Sequence, residues 1–166
     1  MTKSNTKSKK GFTIIEVVLV LAIAGLIFLM VFVALPALQR SQRDTQRRDD
    51  MARVATAINQ YQTNNNGRVP MAMATVPTGA DFINRYLGGN NEFRDPDGTD
   101  YTIVFGTFNS NGSTDPNNTN NQTLHTVYVY NRAACEGETM VSAGNNNEYA
   151  ILTKLEGSGI YCADNR

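Results

Sequence analysis

The sequence is short of the residues that most chemistry needs. Its 166 residues include one histidine, His125, and two cysteines, which leaves no Cys/His constellation able to hold a metal. No nucleophile–base pair, phosphate-cradling loop or pair of catalytic carboxylates stands out, so the sequence predicts a building block and not an enzyme. Neither sign of charge is in excess: fifteen Lys and Arg balance fifteen Asp and Glu. That balance is a sum of unlike parts. Residues 1–11 hold Lys3, Lys7, Lys9 and Lys10 and no acid, and residues 40–53 set five arginines against Asp44, Asp49 and Asp50. Residues 68–166 carry six bases against eleven acids, a net of −5, which excludes a basic nucleic-acid-binding head. From Gln39 onward the chain is polar, rich in Asn and Thr, and has no apolar run longer than about five residues. That excludes a multi-span membrane protein.

One long apolar run is present. Phe12–Leu38 contains a single charge, Glu16, and Val17–Leu35 contains none. A hydrocarbon core about 30 Å thick needs roughly 20 helical residues, so the run can span a bilayer. A cleaved secretory signal has a shorter apolar region, about 7–15 residues, ending in a small-x-small site before a new domain. Nothing like a mature N-terminus follows this run. A plain single-span anchor is opposed by Glu16, because an acid inside a membrane segment is costly and calls for a partner and a role. Four lysines precede the span and five arginines follow it, so the positive-inside count leaves orientation nearly balanced.

The string Lys9-Lys10-Gly11-Phe12-Thr13-Ile14-Ile15-Glu16 resembles the class III signal of type IV pilins and pseudopilins. In that family a short basic leader precedes Gly-Phe, and Thr-x-x-Glu opens a long apolar helix. The resemblance implies a leader that stays in the cytoplasm and a membrane-embedded prepilin peptidase that cuts between Gly11 and Phe12. It also implies N-methylation of Phe12. Glu16 would meet the Phe12 ammonium of a neighbouring subunit in a filament, where two unfavourable buried charges neutralise each other and set axial register. Before assembly, Glu16 is expected to lack a fixed partner. Gly25 costs about 1 kcal/mol of helix propensity relative to Ala, and Pro36 removes a helix hydrogen bond, so a helix kink is expected around them.

Beyond the span the helix is expected to continue to about Thr63. It would then be roughly 80 Å long, too long to fold inside so small a domain, so it must protrude. Opposite charges at Arg40–Asp44, Asp44–Arg48 and Asp49–Arg53 have i,i+4 spacing. Met51, Val54, Ala55, Ile58 and Tyr61 form an apolar stripe, whereas 40–50 has none and reads as solvated or set against neighbouring subunits. Asn64-Asn65-Asn66-Gly67, with Pro70 shortly after, supplies the helix stop. Tyr61…Asn66-Gly67-x-x-Pro70 resembles the hinge leaving the helix in pilins, and Asp95-Pro96-Asp97-Gly98-x-x-Tyr101 the turn before their first strand. A short helix is expected at Ala80–Leu87. Strands are expected at Tyr101–Phe108, Leu124–Asn131 and Glu148–Leu155, with a return at Ile160–Cys162 after a tight turn at Gly157-Ser158-Gly159. The expected fold is α+β, the type IV pilin fold: a long N-terminal membrane-spanning helix with its C-terminal half packed on a small antiparallel sheet. The expected divisions are a leader at 1–11, a membrane and filament-core helix at 12–38, an amphipathic continuation at 39–67 and a globular head at 68–166.

The loop Asn109–Thr123 has no large apolar residue and is expected to be exposed and mobile. It holds three Asn-x-Ser/Thr sequons, at Asn111, Asn117 and Asn121, a pattern that an Asn/Thr-rich loop produces by chance. Cys135 and Cys162 fall in the region outside the membrane. An exported pair oxidises readily, and pilins often carry such a C-terminal disulfide; two buried free thiols are the alternative. His125 reads as an ordinary strand position. Asp95, Asp97 and Asp100 resemble a fragment of a calcium loop, and some related major pseudopilins bind calcium. The ladder lacks the remaining oxygen ligands and terminal Glu of an EF-hand, and Pro96 and Gly98 make it a better turn. No cofactor is expected.

The resemblance therefore implies a structural subunit of a type IV pilus, serving adhesion, twitching motility or related surface functions. Its partners would be itself and other pilins in a helical homopolymer, the prepilin peptidase, an inner-membrane assembly platform and assembly and retraction ATPases. It would sit in the cytoplasmic membrane before assembly and in an extracellular filament afterwards. The head, net acidic, is not expected to bind nucleic acid. The alternatives are a pseudopilin of a type II secretion system and a single-span anchored surface domain with no assembly role. No Leu-Pro-x-Thr-Gly motif supports attachment by sortase.

Overall fold

The computed structural model describes residues 11–71, 79–108, 117, 122–157 and 159–166. Two helices, α1 (Ile14–Asn64) and α2 (Gly79–Tyr86), precede six strands: β1 (Thr102–Thr107), β2 (Thr126–Asn131), β3 (Ala133–Glu136), β4 (Thr139–Ser142), β5 (Tyr149–Lys154) and β6 (Ile160–Asp164). The chain divides into two compact units, Met1–Gln39 and Arg40–Arg166. Residues 40–64 of α1 thus belong to the same unit as the head.

In the first unit every large apolar side chain from Phe12 to Leu38 is exposed. This part of α1 is long and apolar enough to cross a membrane. Gly25 and Pro36 both lie inside the helix.

In the second unit α1 presents one buried stripe: Asp44, Arg47, Met51, Val54, Ala57, Ile58 and Tyr61. It ends where the sequence places a stop. Asn66 and Gly67 take positive φ, 54° and 78°, and Gly67 N–H donates to the Gln62 carbonyl at 2.7 Å, satisfying an orphan end group of the helix.

The main sheet has the order β1-β2-β5-β6. β2, β5 and β6 pair antiparallel, as expected, but β1 pairs with β2 in parallel, with Thr102 opposite Thr126 and Thr107 opposite Asn131. The long connection 108–125 explains the departure from an all-antiparallel sheet. A parallel pair needs a crossover of about a dozen residues or more, and this connection is long enough to supply one. The fold class remains α+β.

Strand alternation divides the core into two layers. Ile103, Phe105, Val127, Val129, Tyr149 and Ile151 point to the face covered by α1 and α2, where they meet Met51, Val54, Ile58, Tyr61, Phe82 and Ile83. Burying each such aliphatic side chain contributes about 1.5–3 kcal/mol against leaving it exposed. On the opposite face Tyr130, Ala150 and Leu152 pack with Ala133 and Met140. The latter two come from the β3–β4 hairpin, an element that the sequence reading did not anticipate. Cover on both faces explains why Tyr149–Thr153 are all buried, since a strand with one wet face would alternate. Cys135 of β3 and Cys162 of β6 form a disulfide, with Cα atoms 5.8 Å apart, that staples the hairpin to the sheet.

The leader up to Lys10, the loop positions 109–116 and 118–121 with sequons Asn111 and Asn121, and Ser158 lie outside the described residues. Asn117 is described. Its amide donates to the Met140 carbonyl at 2.8 Å and accepts from the Met140 N–H at 2.7 Å, so a glycan on that nitrogen would break a pairing to β4.

Candidate functional site

The first unit opens on Gly11 and Phe12, both exposed, with the Phe12 side chain 91% accessible. A Cβ added at Gly11 would meet nothing within 4 Å. Thr13 sits just before α1 as its cap, its carbonyl accepting from Glu16 N–H at 3.1 Å. The Glu16 carboxylate turns back and accepts from Thr13 N–H at 2.9 Å and from the Thr13 hydroxyl at 2.7 Å. Thr-x-x-Glu therefore closes one arm of a capping box, in which the third helical residue satisfies the N–H of the cap residue. This corrects the expectation that Glu16 lacks a fixed partner before assembly. Within its own chain it has one, and a neighbour's ammonium would have to compete with Thr13 for it.

The second unit contains a charged seam where α1 meets the head. Arg47 is 1% exposed, and its guanidinium forks onto the fully covered Asp95 carboxylate, Nε to Oδ2 at 2.7 Å and Nη2 to Oδ1 at 2.8 Å. Its third nitrogen donates to Asp44 at 3.0 Å and Glu156 at 3.3 Å. Glu156 also takes a bidentate pair from Arg43, at 2.7 and 2.8 Å. Asp44 in turn accepts the backbone N–H groups of Glu156 and Gly157, both at 2.8 Å. The hydrogen bond to Asp95 raises the Arg47 pKa beyond its already high ordinary value. The hydrogen bond from Arg43 pulls Glu156 down from its ordinary 4.5 to about 2. Residues 40–50 are thus neither simply solvated nor reserved for neighbouring subunits. The ion pairs inside α1 also differ from the expected i,i+4 set: they are Asp44–Arg47 and Asp50–Arg53, each at i,i+3. Tyr101 donates to Asp50 at 3.2 Å. Burial raises the Asp50 pKa, and burial with the nearby Asp95 charge raises that of Tyr101.

Residues 6–32 match the family model of the prokaryotic N-terminal methylation motif. The chain carries the class III prepilin signal. The match covers the leader from residue 6 with Lys7, Lys9 and Lys10, then Gly11, Phe12, Thr13, Glu16 and most of the apolar run, whose large apolar side chains from Phe12 onward are exposed. No curated protein and no solved structure matches the chain.

Outside the prepilin signal, the aspartates of the 95–100 turn are each engaged by protein donors. Asp95 is spent on Arg47, and its Oδ1 also accepts from Asp97 N–H at 3.1 Å. Asp97 accepts from Thr99 N–H at 2.9 Å and its hydroxyl at 2.7 Å, which holds its pKa low. Asp100 pairs with Arg94 at 2.9 Å. The residue that joins Asp95 and Asp97 in one cluster is His125, not Asp100, with ligand atoms within 4.8 Å of one another. His125 lies in the turn before β2 rather than in a strand, its Nδ1 2.7 Å from the Thr99 hydroxyl. With both Asp95 oxygens committed to a guanidinium, the cluster fits a latch for the turn better than a cation site.

The sequence reading missed Arg47 and Glu156 altogether. A signal for Arg47 existed, because stepping back from Met51 at the spacing of the apolar stripe lands on Arg47 and then Asp44. Glu156, on the β5–β6 turn, offers no such signal.

Proposed function

We propose that the chain is a pilin, a structural subunit that assembles through the first half of α1 into a type IV pilus at the cell surface, and not an enzyme. The observation that carries this reading is the coincidence of the prepilin signal with an apolar segment whose large side chains are all exposed among the described residues. In this reading prepilin peptidase cuts between Gly11 and Phe12, and Phe12 becomes the methylated N-terminus. Glu16 exchanges its Thr13 partner for the Phe12 ammonium of the adjacent subunit, and Gly25 and Pro36 are the points where the packed helix yields. Membrane anchoring precedes assembly, with a helical polymer of this chain and other pilins as the product. A disulfide-stapled hairpin and the polar connection 108–125 favour a subunit facing the exterior over a compact secretion pseudopilin.

Intact mass of the chain from sheared surface filaments tests the reading. The expected species lacks residues 1–11 and carries one added methyl group. A chain retaining its leader, or beginning after Leu38, contradicts processing. A correctly processed chain found only in the cell envelope, and absent from sheared filaments, would favour the secretion pseudopilin.

A further inference from the structure

The parallel β1–β2 pair starts from two turns that no hairpin joins. Thr102 N–H donates to the His125 carbonyl at 2.9 Å, so the 95–100 turn before β1 and the turn before β2 are brought together. The His125 side chain bridges the same two turns. Its Nδ1 stands 2.7 Å from the Thr99 hydroxyl, that hydroxyl stands 2.7 Å from Asp97 Oδ1, and His125 Nε2 stands 3.6 Å from Asp97 Oδ2. Imidazole, hydroxyl and carboxylate thus form a closed ring.

Counting protons shows what the ring lacks. Each contact between two of these heteroatoms is attractive only with a proton between them, so the ring needs three. The hydroxyl supplies one, a neutral imidazole one more, and an ionised carboxylate none. With Nδ1–H donating to Thr99 and Thr99 donating to Asp97, the Nε2 lone pair faces Oδ2 bare. With the proton on Nε2 instead, the Thr99 oxygen has one proton to serve both Nδ1 and Oδ1. Either neutral form leaves two acceptors in contact. An imidazolium, with both ring nitrogens as donors, completes the ring.

The surrounding charges leave Asp97 as the partner. Asp95 Oδ2 lies 3.8 Å from Nδ1, but Arg47 of α1 forks onto that carboxylate and offsets its charge. Arg94 and Asp100 pair with each other, and Asp50 is held by Tyr101. Asp97 Oδ2 has no other donor among the described residues. The Thr99 hydroxyl, with a smaller contribution from His125, holds the Asp97 carboxyl below its usual range, so Asp97 stays charged wherever an imidazole titrates. We propose that His125 is a proton-operated latch between the 95–100 turn and the entrance to β2, incomplete at neutral pH and closed when the imidazole gains its second proton. The added stability is present in acid and is lost as pH rises through the imidazole range, between about pH 5 and 8. The His125 and Asp97 side chains are 34% and 36% exposed, which screens the pair and keeps the effect small. The proposal concerns the head alone and stands whether or not the chain forms filaments.

Amide hydrogen exchange tests it, followed by NMR on the full chain in detergent micelles at about pH 5.5 and about pH 8 and corrected for the intrinsic pH dependence of exchange. The reporters are Thr99 N–H, which donates to Asp97 Oδ1, and Thr102 N–H, which donates to the His125 carbonyl. Gly67 N–H, bonded to the Gln62 carbonyl at the end of α1, is the reference. Protection of the two reporters relative to Gly67 should be about two- to fivefold greater at the acid pH. His125 is the one histidine in the chain, so His125→Gln should abolish that difference. Asp97→Asn, which keeps an acceptor for Thr99 and removes the charge, should abolish it too, and decides alone if His125→Gln does not fold. Equal protection at the two pH values in the wild-type chain would overturn the proposal. So would weaker protection in acid, which would mean that Arg47 repels the imidazolium more than Asp97 attracts it. An undiminished difference in either variant would place the titrating group elsewhere and overturn it as well.

Discussion

The two halves of α1 are covalently one helix and physically two objects. From Ile14 to Gln39 no side chain is buried, although leucine, isoleucine, valine and phenylalanine dominate. From Arg40 to Asn64 the sequence is far more polar, yet seven residues are buried at helical spacing and two of them are charged. Hydrophobicity alone therefore does not say which half belongs to the fold. What decides is whether the rest of the chain supplies a complementary surface. The second half meets the sheet, α2 and a set of charges matched to its own, whereas the first half leaves its large apolar side chains exposed, a surface that the proposed function gives to lipid or to other subunits.

Substitutions can break that comparison in a graded way. Arg47→Met should be among the most damaging, because it leaves Asp95 covered and unpaired; breaking such a pair costs about 3–5 kcal/mol. Urea unfolding of the full chain in detergent would show it as a large fall in midpoint, and Arg47→Met with Asp95→Leu should recover most of the loss. Ile58→Ala in the second half should cost about 2–5 kcal/mol by opening a cavity under the sheet. Leu26→Ala in the first half should stay within about 0.5 kcal/mol in the same assay. A comparable loss at both positions would erase the distinction.

Removing the staple between β3 and β6 by Cys135→Ser with Cys162→Ser should cost roughly 2–4 kcal/mol. That loss should leave the insertion of the first half into membranes unchanged, which fractionation can check. The acid limb of the stability curve is a further handle on the second half. The folded Glu156 pKa, about 2, lies below its ordinary 4.5. The stabilisation is therefore fully present above about 4.5 and is lost as pH falls through that window. Glu156→Gln should flatten the fall in melting temperature between pH 5 and pH 2. An unchanged acid limb would mean that the Arg43 pair is formed equally in the unfolded chain.

Much of this division can be read in the residues. The apolar run with Glu16 near its start, the Asn64–Gly67 stop and the stripe from Met51 to Tyr61 are local patterns, and each corresponds to an observed element. The parallel β1–β2 pairing is not local. It depends on where the polar connection 108–125 delivers the chain, and no periodicity encodes that. The β3–β4 hairpin hides because Ala133, Ala134 and Cys135 are small and unalternating, and its turn rests on Gly137 at φ 63° between two glutamates. At the N-terminus, Thr13-x-x-Glu16 was legible as a membrane-embedded charge. The same Thr-x-x-Glu spacing is also that of a helix capping box.

That double meaning gives the most direct test of the claim that the first half of α1 is completed by other subunits. Glu16→Gln keeps a side chain able to cap Thr13 N–H, because Gln serves at this position of a capping box, but removes the charge. Incorporation of the Glu16→Gln chain into sheared filaments, measured beside its level in the membrane, separates the two roles. If the carboxylate pairs with a neighbour's Phe12 ammonium, the variant should accumulate in the membrane at wild-type level and be strongly depleted from filaments. Wild-type incorporation of Glu16→Gln would contradict the account and leave Glu16 as a helix cap alone.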